Sequence, residues 1–274
     1  MLTMVTVQRT EPHGMGQKLL EILRPAKVVE QIETGAGREY RHITVEVGRK
    51  DIPWKKVTRL IGGDPFILPR EISIPPQVPL ERFVPKKLQP KLALRMLLDC
   101  LKGSRIPPSS RIVGIIDPDG EYQAAAMSLA EQASTVRILT GEPEKYKVFQ
   151  RQMLDLYGAP ILVGDNLSFL RDCMAVYCPA PYESGEEAAP RGLFFAAAPL
   201  CLQGRCQILE DFSPACPGDT IPKGIHPADF YGALYEWGGA KELEDSPAAR
   251  ADCKGRPNRL GELCEYLRRT FGVK

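Results

Sequence analysis

Histidine is scarce in this 274-residue chain, at three residues, and tryptophan is scarcer, at two. His13, His42 and His226 are the whole imidazole supply, and no His-Glu-x-x-His helix exists for a metalloprotease. Gly-Lys-Ser/Thr, Gly-x-Ser-x-Gly and Gly-x-Gly-x-x-Gly are all absent. Those absences remove the P-loop, the strand-turn-helix nucleophile elbow and the standard diphosphate-binding turn. No apolar run approaches the ~18 residues that a membrane-spanning helix needs. The most apolar stretch, Gly192 to Leu202, is short and carries Pro199. With 24 glycines and 25 prolines the chain is too poor in both to be collagen-like, and 43% hydrophobic residues are too many for a disordered one.

What is present is a globular composition with nearly balanced charge, 36 basic against 34 acidic side chains. The balance is uneven along the chain. Residues 1–110 hold 19 Lys/Arg and 11 Asp/Glu, whereas residues 111–274 hold 17 and 23. The basic residues come as scattered pairs (Arg49-Lys50, Lys55-Lys56, Lys86-Lys87) without aromatic interleaving. That pattern argues against a nucleic-acid partner. The N-terminus lacks a charged region followed by an apolar one, so a cytoplasmic location is expected, with no membrane partner and with reduced cysteines. The eight cysteines include no Cys-x2-Cys pair. Cys201, Cys206 and Cys216, with His226, form the nearest approach to a zinc pattern. Their spacing suits buried apolar cysteines better than a tetrahedral site, and no metal is expected.

The first segment reads as β-rich. Leu2 to Val7 suits a strand, Gln17 to Leu23 has helical spacing, and Lys27 to Glu33 with Tyr40 to Val47 flank a glycine turn as a hairpin. Pro53 to Ile61 is a short helix closed by Gly62-Gly63. Seven prolines between 65 and 90 rule out an interior strand or an unbroken helix there. The apolar residues among them, Phe66 to Val84, make it a packed strap and not a loose tether. A helix follows over Pro90 to Leu101.

From Arg111 the pattern changes. Short apolar strands at 111–117, 135–140, 159–163, 174–178 and 193–198 alternate with helical segments at 122–133, 144–157 and 167–172. Strands recurring every 20-odd residues with helices between them mean βαβ units and a parallel sheet. The fold class expected is therefore α/β: a Rossmann-like parallel sheet layer with an N-terminal β-rich, proline-strapped region. The domains read as 1–105, a Rossmann-like 106–240, and a polar segment with a C-terminal amphipathic helix over 241–274. Within the last, 241–258 reads as polar and irregular, and Leu260, Leu263, Cys264, Leu267 and Phe271 share a helix face. Trp54, Trp237, Tyr231 and Tyr235 read as core or interface residues.

In an open α/β sheet, ligands sit beyond the carboxyl ends of the strands. Those ends carry Asp117, Asp119 and Gly120, then Thr140 and Glu142, then Asp165. These six are the ligand-binding candidates. Glu142, at the end of the second strand, stands where a nucleotide site places an acid for ribose hydroxyls. The turn Asp117-Pro118-Asp119-Gly120-Glu121 is a poor diphosphate cradle, because its carboxylates repel phosphate and Pro118 has no N–H. The same run, Ile115-Ile116-Asp117-Pro118-Asp119-Gly120, resembles the first motif of the haloacid dehalogenase superfamily. That resemblance implies phosphoryl transfer with Asp117 as nucleophile, Asp119 handling the leaving-group proton, Thr140 as the strand-end hydroxyl and Asp165 as a Mg²⁺ ligand. An acidic turn whose side chains only cap the next helix gives a third, non-catalytic reading as a scaffold or partner-binding protein. A small molecule or nucleotide bound at the strand edge, without the standard glycine motif, is the leading expectation. Whether the chain is an enzyme, which cofactor it uses and its oligomeric state are all left open by the sequence.

Overall fold

The structure is a computed structural model of the chain; it describes every residue except 10–25, 49–50, 159, 188–190, 205, 217 and 273–274. The helix expected over Gln17 to Leu23 lies outside the described residues. The chain divides into two compact units, each discontinuous in sequence: residues 1–88 with 216–245, and residues 89–215 with 246–274. The sequence reading cut the chain at 105 and 240. The helix after the strap goes instead with the second unit, and the Pro227–Glu236 helix with the first. A boundary that returns to an earlier unit leaves no composition signal at the crossing.

The first unit is built on a four-stranded sheet in the order β2-β3-β1-β4, with β1 Thr3–Arg9, β2 Lys27–Gly35, β3 Arg38–Val47 and β4 Phe66–Ile67. β2 and β3 form the expected antiparallel hairpin, while β1 lies parallel to β3 and β4. One face of the sheet carries Val5, Ile43, Val45 and Val47. Helix α1 (Trp54–Ile61) covers that face with Val57 and Ile61, and the strap adds Phe66 and Leu68. Two residues of the strap enter the sheet, and they do so on its edge strand, where proline neighbours remove no ladder bond.

The second unit holds an eight-stranded sheet. Helix α2 (Leu88–Gly103) precedes β5 Ile112–Ile116, α3 Gln123–Ala130, β6 Thr135–Leu139, α4 Lys147–Tyr157, β7 Ile161–Gly164, β8 Ala175–Cys178, β9 Tyr182–Glu187 and β10 Leu193–Ala196. Next come β11 Leu200–Gln203, β12 Gln207–Pro214, β13 Ala248–Cys253, β14 Arg256–Arg259 and α6 Leu260–Phe271, with α5 Pro227–Glu236 in the first unit between β12 and β13. The sheet order is β7-β6-β5-β8-β10-β12-β13-β14. Every pairing from β7 to β12 is parallel, and β13 and β14 extend the edge antiparallel. Counting only β5, β6, β7, β8, β10 and β12 in chain order, the arrangement is 3-2-1-4-5-6, the order of a doubly wound Rossmann sheet. The strands are buried on both faces, as Val113, Ile115 and Ile116 in β5 and Phe194 and Phe195 in β10 illustrate.

Two features depart from the sequence reading. Residues 241–258, read as polar and irregular, carry β13 and β14. Their charged residues sit on an edge hairpin, where one face meets water and alternation hides the strand. The crossovers β8 to β10 and β10 to β12 contain strands in place of helices. β9 and β11 pair with each other as a separate two-stranded sheet.

Candidate functional site

The switch point of this sheet lies between β5 and β8, where the strand order reverses. Beyond the carboxyl ends of β5, β6 and β7 the chain forms three turns, and they carry the six sequence-predicted residues.

Asp117 follows β5 directly and is completely buried. Its carboxylate accepts the backbone N–H of Glu121 at 3.0 Å and of Tyr122 at 2.9 Å. The Tyr146 hydroxyl donates to the same carboxylate. These two N–H groups belong to the turn just before helix α3, whose first helical residue is Gln123, so Asp117 ties down the entrance to the helix with its own side chain. Burial first, and then the bond to Asp117, push the Tyr146 phenol well above its ordinary value, so it remains a donor. An in-line nucleophile needs an oxygen facing open space; both Asp117 oxygens are engaged inside the fold. This geometry speaks against the nucleophile role that the dehalogenase resemblance implies.

The second turn packs on the first. Thr140 is buried; its hydroxyl accepts the N–H of Glu142 at 3.0 Å and donates to the Pro118 carbonyl at 3.4 Å. Gly141 N–H reaches the same carbonyl at 3.1 Å. Lys145 Nζ donates to the Asp119 carbonyl at 2.6 Å, and Gln123 Nε2 to the Lys145 carbonyl at 2.8 Å. Gly120 has φ +67°, and a Cβ there would fall 2.8 Å from Lys145 Cδ. Glycine is thus favoured by the dihedral, and a Cβ would also push on the lysine side chain that crosses it. The side chains of Asp119 and Glu142 stay exposed. Asp165, beyond β7, is exposed too and accepts from Asn166 Nδ2 at 3.1 Å. Thr140 N–H bonds the Gly164 carbonyl at 3.0 Å, which places all three turns along one rim.

On the other side of the switch point the rim is open. A cavity of about 480 Å³ is lined by Pro181, Tyr182, Glu183, Pro199, Leu200, Cys201 and Glu210. Pro181 lies just past β8 and Pro199 just past β10, so the cavity sits at the carboxyl edge of the same sheet. The sequence reading missed these residues. The signal available was the pair Pro179-Ala180-Pro181 and Ala198-Pro199, each directly after an apolar strand. Tyr122, at the start of α3, meets Tyr177 of β8 edge-on at 6.4 Å and joins the two halves of the switch point.

The remaining candidates have structural partners. His226 caps α5, its Nδ1 accepting from Ala228 N–H at 3.3 Å. In the first unit, Glu33 accepts from the Tyr40 hydroxyl at 2.7 Å and pairs with His42 Nδ1 at 2.8 Å, and His42 Nε2 lies 2.8 Å from the Thr6 hydroxyl. Cys173 and Cys178 are buried, and burial raises both thiols. Tyr231 and Tyr235 are buried, but Trp237 is 58% exposed and touches Phe83 edge-on. No helix among the described residues is long and apolar enough to cross a membrane.

No protein-family profile matches the chain, and no curated protein is significantly similar in sequence. Among solved structures, L-tryptophan dehydrogenase from Nostoc punctiforme is similar over 99% of this chain and 80% of its own, at 10% identity and a TM-score of 0.33. 5-Ketofructose reductase of Gluconobacter sp. strain CHM43, in ligand-free form, is similar over 98% of both chains, at 14% identity and a TM-score of 0.32. Δ(1)-Pyrroline-2-carboxylate reductase of Thermococcus litoralis, in complex with NADH and L-proline, is similar over 39% of this chain, at 12% identity and a TM-score of 0.29. This chain spans only 36% of that reductase. Likeness at this level leaves function to be argued from the chain's own side chains.

Proposed function

We propose that the chain binds a small, phosphate-free ligand at the carboxyl rim of its Rossmann-like sheet, on the β8-β10-β12 side of the switch point. One observation carries this reading: the cavity is edged by Glu183 and Glu210, whose carboxylates would repel a phosphate. In the turn ahead of α3, the Glu121 and Tyr122 N–H groups are also already taken by Asp117. Asp117, Gly120 and Thr140 then brace the rim and do not contact ligand. Pro181, Tyr182, Pro199 and Leu200 offer apolar contact in the open cavity, while Glu183 and Glu210 favour a ligand with a positively charged group.

A second seat is supported by Glu142. Its Cβ lies 3.4 Å from where a Cβ on Gly120 would stand, the relation expected of an acid that meets a ribose beside the first turn. Asp119 and Asp165 flank that seat with exposed carboxylates. A nucleoside without phosphates is the ligand that would suit it.

Thermal shift of the full chain separates the two. The panel is primary amines, nucleosides, the matching nucleotides and NAD(P)(H), applied to the unmodified chain, Glu183→Gln and Glu142→Gln. Stabilisation by an amine that Glu183→Gln abolishes supports the cavity. Stabilisation by a nucleoside that Glu142→Gln abolishes moves the ligand to the second seat. Stabilisation that requires the phosphates of NAD(P)(H) or a nucleotide rejects the phosphate-free reading altogether.

A further inference from the structure

Two thiols in the second unit meet between helices that are distant in sequence. Cys100 lies on the buried side of α2, and Cys264 lies half-buried on α6. The two side chains share a hydrogen bond. Gly103 follows Cys100 by three residues, on the same face of α2. A Cβ at Gly103 would fall 2.5 Å from Cys264 Sγ and 3.5 Å from its Cβ. The missing side chain is what lets the Cys264 thiol settle onto α2 beside Cys100. Gly103 itself is exposed, so the pair lies near the surface on that side.

The shared proton has a direction. The bond to Cys264, and then burial, raise Cys100, which keeps its hydrogen. The same bond draws Cys264 below an ordinary thiol, although burial and Asp99 oppose it. The more accessible sulfur is therefore the better nucleophile, and a protonated, buried partner waits beside it.

We propose that Cys100 and Cys264 are a reversible redox pair, oxidised by a low-molecular-weight disulfide to an intramolecular disulfide that staples α6 onto α2. The Cys264 thiolate attacks one sulfur of the small disulfide, and that sulfur's partner leaves as a thiolate. Cys100 then attacks Cys264 Sγ in the mixed disulfide, and the second small thiolate leaves, taking up the Cys100 proton. Two protein thiols are oxidised and one small disulfide is reduced to two thiols. The staple would fix the last helix, which is otherwise held by buried Leu263 and Leu267 and by the Tyr266 hydroxyl on the Arg191 carbonyl at 3.0 Å.

The test uses the native full chain with excess oxidised glutathione, followed by alkylation, intact mass and peptide mapping. The expected product has lost two hydrogens, yields a Cys100–Cys264 cross-linked peptide, reverts with dithiothreitol and melts at least about 5 °C higher. Cys100→Ser should instead trap glutathione on Cys264 with no rise in melting temperature. Gly103→Ala keeps both thiols but displaces Cys264, and should slow cross-linking roughly tenfold or more. Exposed Cys201 reports that the oxidant is active. The proposal is overturned if Cys201 is glutathionylated while Cys100 and Cys264 both remain alkylatable, or if their cross-link forms only in denaturant.

Discussion

The two halves of the parallel sheet close their carboxyl edges in different ways. On the β5-β6-β7 side, helices α3 and α4 connect the strands. The turns there are tied together by Asp117, Thr140, Lys145 and Tyr146. On the β8-β10-β12 side, the connections carry the paired strands β9 and β11, and a cavity of about 480 Å³ is lined by residues of both and by Glu210. The strand order is that of a doubly wound Rossmann-like sheet throughout. In the first half a buried carboxylate ties down the turn before α3, whereas the second carries an open cavity. Strand order thus locates a rim, and hydrogen-bond accounting decides which part of it is free.

The largest effect that would sharpen this contrast is expected from Asp117→Ala. It leaves the Glu121 and Tyr122 N–H groups and a buried phenol without their acceptor, and should cost about 3 kcal/mol in urea unfolding. A loss below about 1 kcal/mol would show that the first half is not braced by this residue. Gly120→Ala comes next, at about 1–2 kcal/mol, from the positive φ and the contact with Lys145. Adding Lys145→Ala should recover the steric part of that loss but not the dihedral part.

How far these features were legible in the sequence follows from the same contrast. β5, α3, β6, α4, β7 and β8 could be read because apolar strands and helical spacing alternate there, and the glycines at 120 and 158 mark turns and caps. β12 escaped because Glu210 and Asp211 interrupt its apolar pattern, and β9 because Glu183, Ser184 and Gly185 look like a loop. The rim residues were correctly placed at strand ends. Their hydrogen bonds were not readable, because whether a carboxylate faces a ligand or the next helix depends on a rotamer and on Tyr146, 29 residues away.

Tyr146→Phe is a smaller perturbation, expected to cost about 1 kcal/mol at neutral pH. The phenol's value is raised in the folded state, so its contribution is complete below the unfolded tyrosine value of ~10 and fades as pH rises above it. The stability gap between the unmodified chain and Tyr146→Phe should therefore narrow above about pH 10, as followed by denaturant unfolding across pH. A gap that widens with alkali would contradict the bond to Asp117. The smallest effect is expected at Glu183→Gln, within about 0.5 kcal/mol, because an open cavity contributes little to folding. A large loss there would mean that the second half is braced as well.

The most direct measurement is a ¹H–¹⁵N NMR titration of the full chain with ADP, observing the backbone amides of Glu121 and Tyr122. With Asp117 seated on both groups, neither resonance should move in a saturable way. A saturable shift of these two amides would show that phosphate displaces the Asp117 carboxylate, and would restore the first half of the rim as a nucleotide site.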